Sequence, residues 1–339
     1  MTHFSRMNNI KILDCTLRDG GYINDWHFGK DVICALIQNL EKSQVDYIEC
    51  GFFKDIEYDK NKTIFSNINK LPDFLSKKNA KYTLMINFGK YPIEKIPQNS
   101  KPNFLFRVAF KKDDYKNALN YCKELINKGY DIFVNPMHIN TYTDVELLDL
   151  ITLVNKINPK YFTIVDTIGA MKESDISRVF YLIDKNLNKN ISLCLHSHNN
   201  MQLSFSNAQS LMRICKKRDL IIDASLFGMG RGAGNLRTEL IAQYLNENYG
   251  GQYNILPLLK SVNEQINPIF QKTPWGYSVH YYLAAINNCH PNYAKFLIDK
   301  KTVDIEIINQ LLQEIQQDKK LTYDENIICK IYKEKCSVK

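Results

Sequence analysis

Long apolar runs are missing from this sequence: no stretch approaches the ~18–20 uninterrupted apolar residues that a membrane-spanning helix needs. The opening residues, MTHFSRMNNI, hold no apolar core behind a basic start, so no secretory leader is expected and the expected compartment is the cytoplasm. Nine cysteines are present but scattered, and the nearest pair, Cys329 and Cys336, lacks zinc-knuckle spacing and a matching second pair. Cys34, Cys50, Cys194 and Cys289 sit inside apolar runs, where a free thiol packs as a small hydrophobe. A Lys/Arg run interleaved with aromatics is also absent, so the net charge of +8 carries no expectation of a nucleic-acid partner. Nor is there a repeat of fixed period or a low-complexity tract.

What remains is an ordinary globular composition, 45% apolar and 24% charged, over 339 residues. Eight short β-type runs punctuate it: KILDCTL, YIECGFF, YTLMINF, FLFRVAF, YDIFVNPMHI, YFTIVDTIG, ISLCLHSH and LIIDASLFG. Segments of helical periodicity lie between them. One is DVICALIQNLEKS, with Val32, Ile33, Leu36, Ile37 and Leu40 on one stripe; another is YKNALNYCKELINKG, stopped by Gly129. Strand–helix alternation of this kind gives parallel βαβ units, and eight of them in about 240 residues predict an α/β fold, a (β/α)8 TIM barrel. An open doubly wound sheet is the architectural alternative. The Gly250–Gly251 pair and Pro257 read as a connector. The barrel domain is therefore placed at residues 9–251, followed by a mainly helical C-terminal region, 252–339, that is too short for a second large core.

Functional groups of such a barrel lie at the C-terminal ends of its strands. Polar residues gather there: Arg18–Asp19, Glu49, Arg107, Asn135 and His138, Asp166–Thr167, His196–Ser197–His198–Asn199, and the loop from Gly228 to Asn235. His196 and His198, two apart on a strand, share a face. With Asp19 from the first strand, adjacent to the seventh and eighth around a closed barrel, they make a two-histidine, one-carboxylate site with open positions. Asn235 is placed for a neutral fourth ligand. The blander reading, two hydrogen-bonded strand-end histidines, loses ground to the company of that Asp. Mixed oxygen and nitrogen donors suit Mn²⁺ or Mg²⁺ better than structural zinc. Arg18, fixed beside Asp19, can stabilise an enolate oxygen, or can serve in a buried ion network, and the two roles are compatible. Glu49 holds Arg18 in place.

The loop GMGRGA formally satisfies G-x-G-x-x-A, yet it follows the eighth strand, and YLNENYGGQ supplies no acidic residue ending a following strand. An NAD-linked oxidoreductase is thereby a weaker reading than close approach of the backbone to the metal site.

Taken together, ILDCTLRDGG, LHSHNN and GMGRGAGN resemble the DRE-TIM metallolyase superfamily (HMGL-like) over roughly residues 9–245, and the eighth-strand loop with VDTIGAM looks most like the 4-hydroxy-2-oxovalerate aldolase branch. The resemblance implies a divalent-metal aldolase, a carbon–carbon lyase joining or parting pyruvate and an aldehyde through an enolate. The same-superfamily alternative is Claisen-type condensation or cleavage of an acyl-CoA. By resemblance Asp19, His196 and His198 bind the metal, Arg18 contacts the enolate, Thr167 contacts substrate, and Tyr277 resembles a tail tyrosine that closes over the site. One departure stands out: the aldolases carry a catalytic histidine where this chain has Tyr22. Tyrosine ionises near pH ~10 and is a poor base at neutrality unless shifted, which leaves Tyr22, His27 or a water as the proton acceptor. The resemblance also implies a small-molecule 2-oxo acid as substrate; aldolases of this type often pass an aldehyde to an acylating aldehyde dehydrogenase at their helical tail, a partner that residues 252–339 do not match well enough to predict. The tail is expected to pack on the barrel or on a neighbouring subunit of a homo-oligomer, and the lack of long apolar runs carries no expectation of a membrane partner.

Overall fold

A computed structural model describes residues 9–73, 80–101 and 103–336. Eight parallel strands close into a barrel: β1 Ile10–Asp14, β2 Tyr47–Phe53, β3 Lys81–Asn87, β4 Phe104–Phe110, β5 Asp131–Pro136, β6 Tyr161–Asp166, β7 Ser192–Ser197 and β8 Leu220–Ala224. Closure is made by β1, which pairs with β8 (Asp14 opposite Ala224) and with β2 (Leu13 opposite Tyr47). These are the eight runs read from the sequence. Each is nearly continuous in apolar residues because a parallel strand covered by helices is buried on both faces.

Six outer helices follow in turn: α1 Lys30–Lys42, α2 Tyr115–Asn127, α3 Asp144–Ile157, α4 Glu173–Asn186, α5 Ser204–Ile214 and α6 Thr238–Tyr249. On α1 the stripe Ile33, Leu36, Ile37 and Leu40 is buried, with Val32 half-buried at its edge. Helix α2 ends where Gly129 turns left-handed at φ 86°, as its sequence position required. Strand–helix alternation fails in one place. Among the described residues, the links after β2 and β3 carry only 3₁₀ turns, Ile68–Asp73 and Ile93–Lys95, and a two-residue strand, Ile64–Phe65, pairs with β2. Aromatic rings cover the barrel there instead, Tyr91 lying 4.1 Å from Phe53.

Inside the barrel, side chains two apart on each strand stack in layers. The lowest is apolar and includes Leu13, Tyr47, Leu105, Phe133, Tyr161 and Ile221. One step towards the C-terminal ends, on the same strands and the same face, stand Glu49, Arg107, Asn135, Thr163 and Asp223, all buried. A register shift between Glu49 and Phe52 breaks the alternation of β2 and turns Phe52 to the barrel mouth, where it packs with Ile64, Met85 and Ala109. A Cβ on Gly51, at φ 146°, would lie 1.9 Å from the Thr63 carbonyl oxygen, so this bulge demands glycine.

Gly250 ends α6 in the left-handed conformation. Pro257, expected in a connector, instead occupies the first turn of helix α7, Ile255–Ser261, where the missing N–H costs nothing. That helix continues through a π-turn, Val262–Ile266, into α8, Asn267–Lys272. Leu258, Ile266 and Trp275 belong to the barrel's hydrophobic core, and buried Asn39 of α1 donates to Ser261 Oγ at 2.9 Å. The last helices, α9 Val279–Ile286, α10 Pro291–Asp299, α11 Ile305–Gln313 and α12 Glu325–Cys336, enclose a small core of their own around Tyr293, Leu297, Leu311 and Ile328. Eight cysteines among the described residues are free and most are buried; residues 1–8 and the side chain of Cys336 lie outside that description. No helix among the described residues is long and apolar enough to cross a membrane.

Candidate metal centre and active site

Immediately after β1 the chain makes one helical turn, Thr16–Asp19, which lifts Arg18 and Asp19 over the barrel mouth. The turn is pinned from several sides. Thr63 Oγ1 donates to the Leu17 carbonyl at 2.6 Å, Trp26 Nε1 donates to the Arg18 carbonyl at 2.7 Å, and Leu226 N–H donates to Thr16 Oγ1 at 2.8 Å. Asp19 then meets His196 and His198 with one donor atom from each residue, all within 4.8 Å of one another and all buried.

The donors are prepared as ligands. His196 Nδ1 lies 3.0 Å from Asp223 Oδ2, which fixes the ring and leaves Nε2 for the centre. His198 Nδ1 is buried without a hydrogen bond, 3.8 Å from Asp19 Oδ2. Burial, opposed by Asp19, pushes His198 down to about 3, so its imidazole is neutral at pH 7, the form that coordinates. Asn235 gives its amide N–H to Asp19 Oδ2 at 2.6 Å and keeps Oδ1 buried with no partner. Orphaned nitrogen and oxygen donors in a buried, mixed O/N set fit a divalent cation. The glycine loop fits as well: a Cβ on Gly230 would lie 2.4 Å from Asn235 Nδ2 and 2.8 Å from Asp19 Oδ2. Only glycine lets the loop lie against the ligands.

A chain of alternating charge supports this layer from inside the barrel. Arg18 donates from Nη1 to Asp19 Oδ1 at 2.5 Å and from Nε to Glu49 Oε2 at 2.8 Å. The same Glu49 oxygen accepts from Arg107 Nη1 at 3.2 Å, and Arg107 Nη2 donates to Asp223 Oδ2 at 2.5 Å, returning to His196. Burial alone would raise the Asp19 and Asp223 carboxyls; Arg18 and the two histidines hold Asp19 well below the usual range, and Arg107 with His196 holds Asp223 near 2. Arg18 keeps one further nitrogen, Nη2, buried and unpartnered beside the pocket.

The inner pocket is narrow, about 60 Å³, and is lined by Arg18, Asp19, His196 and His198 together with Phe52, Asn87, Thr167 and Arg231, among others. Tyr22 reaches its rim, 38% exposed, with the Arg231 guanidinium 4.8 Å from its ring centre. Thr167 lines the pocket and accepts the His138 backbone N–H at 2.8 Å. Two expected residues stand elsewhere. His27 is exposed and lines neither the pocket nor its mouth. Tyr277 is 60% exposed and lines an outer cavity that shares Tyr22 and Arg231 with the inner pocket, and it is not among the residues lining that pocket. Asp166 caps its own turn by accepting the Ala170 and Met171 N–H groups.

Three contributors escaped sequence reasoning. Asp223 sat inside an apolar run, though its place two residues after inward-facing Ile221 was the available signal. Arg231 was visible only as part of a glycine loop. His290, from the tail, lies 3.1 Å from Arg231 Nη1 and had no signal at all, since contact across 59 residues is not written locally.

The HMGL-like family model matches residues 9–263. A 4-hydroxy-2-oxovalerate aldolase of Geobacillus genomosp. 3 is 24% identical over 245 residues, covering 70% of both chains. A 2-isopropylmalate synthase of Staphylococcus carnosus (strain TM300) is 24% identical over 265 residues, 74% of this chain and 51% of that one. Among solved structures, the N-terminal domain of a candidate aldolase from Bacteroides vulgatus superposes with a TM-score of 0.73 at 25% identity, covering 87% of this chain and 98% of that one.

Proposed function

Because the chain belongs to the HMGL-like family, we propose that it is a divalent-metal aldolase that cleaves or forms a 4-hydroxy-2-oxo acid from pyruvate and an aldehyde. The observation that carries this reading is Arg18 held against the Asp19/His196/His198 set with Nη2 free and buried. Aldolase-named relatives at 20–25% identity support it. Asp19, His196, His198 and Asn235 would hold Mn²⁺ or Mg²⁺, and the ion would polarise the 2-oxo group as a Lewis acid.

In the cleavage direction the protein's own groups divide the work as follows. A base takes the proton of the 4-hydroxyl, the C3–C4 bond breaks, the aldehyde departs, and the electron pair enters the 2-oxo unit as an enolate. Arg18 faces that developing charge with a guanidinium already locked by Glu49 and Asp19, so it need not reorganise. Glu49 positions Arg18 through the contact to its Nε. Tyr22 is the rim group that occupies the place of the aldolases' base, and Thr167 lines the substrate's path. Phe52, Met85, Ala109 and Val165 line the remaining wall of the pocket with apolar surface, which strengthens these electrostatic contacts.

A pyruvate-release assay over a panel of 4-hydroxy-2-oxo acids with Mn²⁺ tests the proposal. Turnover of at least one is expected; failure of all, with the metal shown to be bound and pyruvate methyl protons not exchanging, would sink it. The second reading, acyl-CoA condensation, draws on the 2-isopropylmalate synthase relative, and release of free CoA from an acyl-CoA and a 2-oxo acid would favour it.

A further inference from the structure

Above the inner pocket the mouth widens into a second cavity of about 460 Å³, which shares Tyr22, Asn87, Thr167 and Arg231 with the pocket below. Its charged walls are Lys90, Lys111 and Arg231 against the single carboxylate of Asp114. The side chains of Lys90 and Lys111 make no ion pair or hydrogen bond among the described residues, and Arg231 pairs with no carboxylate there. Three cations thus converge with little compensation, an arrangement that raises the local concentration of anions.

The polar atoms around Arg231 are also incompletely matched. Its Nε is buried without a partner, as is Nδ1 of His138 on the same wall. His290 accepts the Asn292 N–H at Nδ1, 3.2 Å, while Nε2 lies 3.1 Å from Arg231 Nη1. A neutral imidazole accepts at only one nitrogen, so one of these contacts sets two donors face to face. An anionic oxygen taking the Arg231 hydrogens would relieve it. Burial and Arg231 push both imidazoles down, His138 to about 4 and His290 to about 2, so neither adds charge at pH 7.

We propose that this cavity seats a phosphate dianion carried by the aldehyde half of the substrate, held by Lys90, Lys111 and Arg231 while the reacting carbonyl sits below among Arg18 and the metal ligands. The proposal rests on the aldolase reading of the inner pocket. Three cations less one carboxylate match a dianion better than a neutral or singly charged group. His290, Asn292 and Tyr323 come from the C-terminal region, Asn292 from helix α10 and the other two from the segments leading into α10 and α12, so the tail supplies the outer wall of this subsite.

The test uses the metal-loaded full chain and a Lys90→Ala/Lys111→Ala double variant, both positions being exposed and its fold being checked by circular dichroism. Inorganic phosphate titrated calorimetrically should bind the wild type and bind the double variant about tenfold more weakly, since two point charges near a dianion are lost. Glyceraldehyde 3-phosphate should exceed glyceraldehyde in kcat/KM for addition of pyruvate by at least about tenfold, and the double variant should lose most of that preference. Equal phosphate binding by both proteins, no binding by the wild type, or a wild type indifferent to the phosphate would overturn the proposal. Deuterium exchange into the pyruvate methyl group reads the enolate step alone. Its absence would count against the aldolase reading, while the phosphate titration still decides the subsite.

Discussion

Asp223 lies where the ion chain and the metal set join. Its Oδ2 receives Arg107 Nη2 at 2.5 Å and faces His196 Nδ1 at 3.0 Å, and its Oδ1 accepts the Cys194 thiol at 2.9 Å. Asp223→Asn keeps the shape and one acceptor but removes the charge. Removing one partner of a buried pair costs about 3–5 kcal/mol. Arg107 retains Glu49 at 3.2 Å, so the loss should fall near the lower end, about 3 kcal/mol, in urea unfolding followed by circular dichroism. His196 loses the carboxylate that orients it, and outer-shell losses of this type weaken metal binding by about 10–100-fold. Mn²⁺ titration followed by electron paramagnetic resonance reads that directly. Mn²⁺ affinity within about threefold of wild type would refute the coupling through His196. Unchanged unfolding energy would show that the chain from Glu49 to Asp223 does not form.

Further expectations follow from the same geometry. Acid stability carries a definite sign: the Asp223 carboxyl sits near 2 in the fold against an ordinary 3.8, so its contribution is complete above about pH 4 and is lost as pH falls towards 2. Unfolding midpoints measured from pH 5 to pH 2 should therefore fall more steeply for wild type than for Asp223→Asn. Gly230→Ala should displace Asn235 and Asp19, lowering Mn²⁺ affinity at least about tenfold while the far-ultraviolet spectrum is kept. Arg18→Lys keeps the charge but cannot reach Glu49 and Asp19 together; pyruvate methyl exchange should drop about a hundredfold with metal still bound. Chelation with EDTA should abolish turnover and lower the melting temperature, both restored by Mn²⁺, because an ion bound only by the folded state stabilises it.

Much of this was legible in the sequence for a physical reason. Parallel strands buried on both faces need uninterrupted apolar runs, and polar residues at the ends of such runs stand out against them. Period-two spacing alone put His196 and His198 on one face. What stayed hidden depends on distance across the fold. The bulge that turns Phe52 inward is set by contact between Gly51 and Thr63, and the Arg231–His290 contact joins the barrel to the tail. Tyr277 likewise depends on the tail's path, which puts it in an outer cavity that meets the inner pocket at Tyr22 and Arg231.

The division of the mouth between barrel and tail has an evolutionary consequence. Arg18, Asp19, His196 and His198 are supplied by the strand ends of one closed sheet, while His290, Asn292 and Tyr323 arrive from the C-terminal region, whose helices hold a small core of their own. On the proposed reading, recombination or drift in that region changes which molecule is admitted while leaving the reactive centre intact, so descendants of this architecture diversify their substrates without relearning their chemistry.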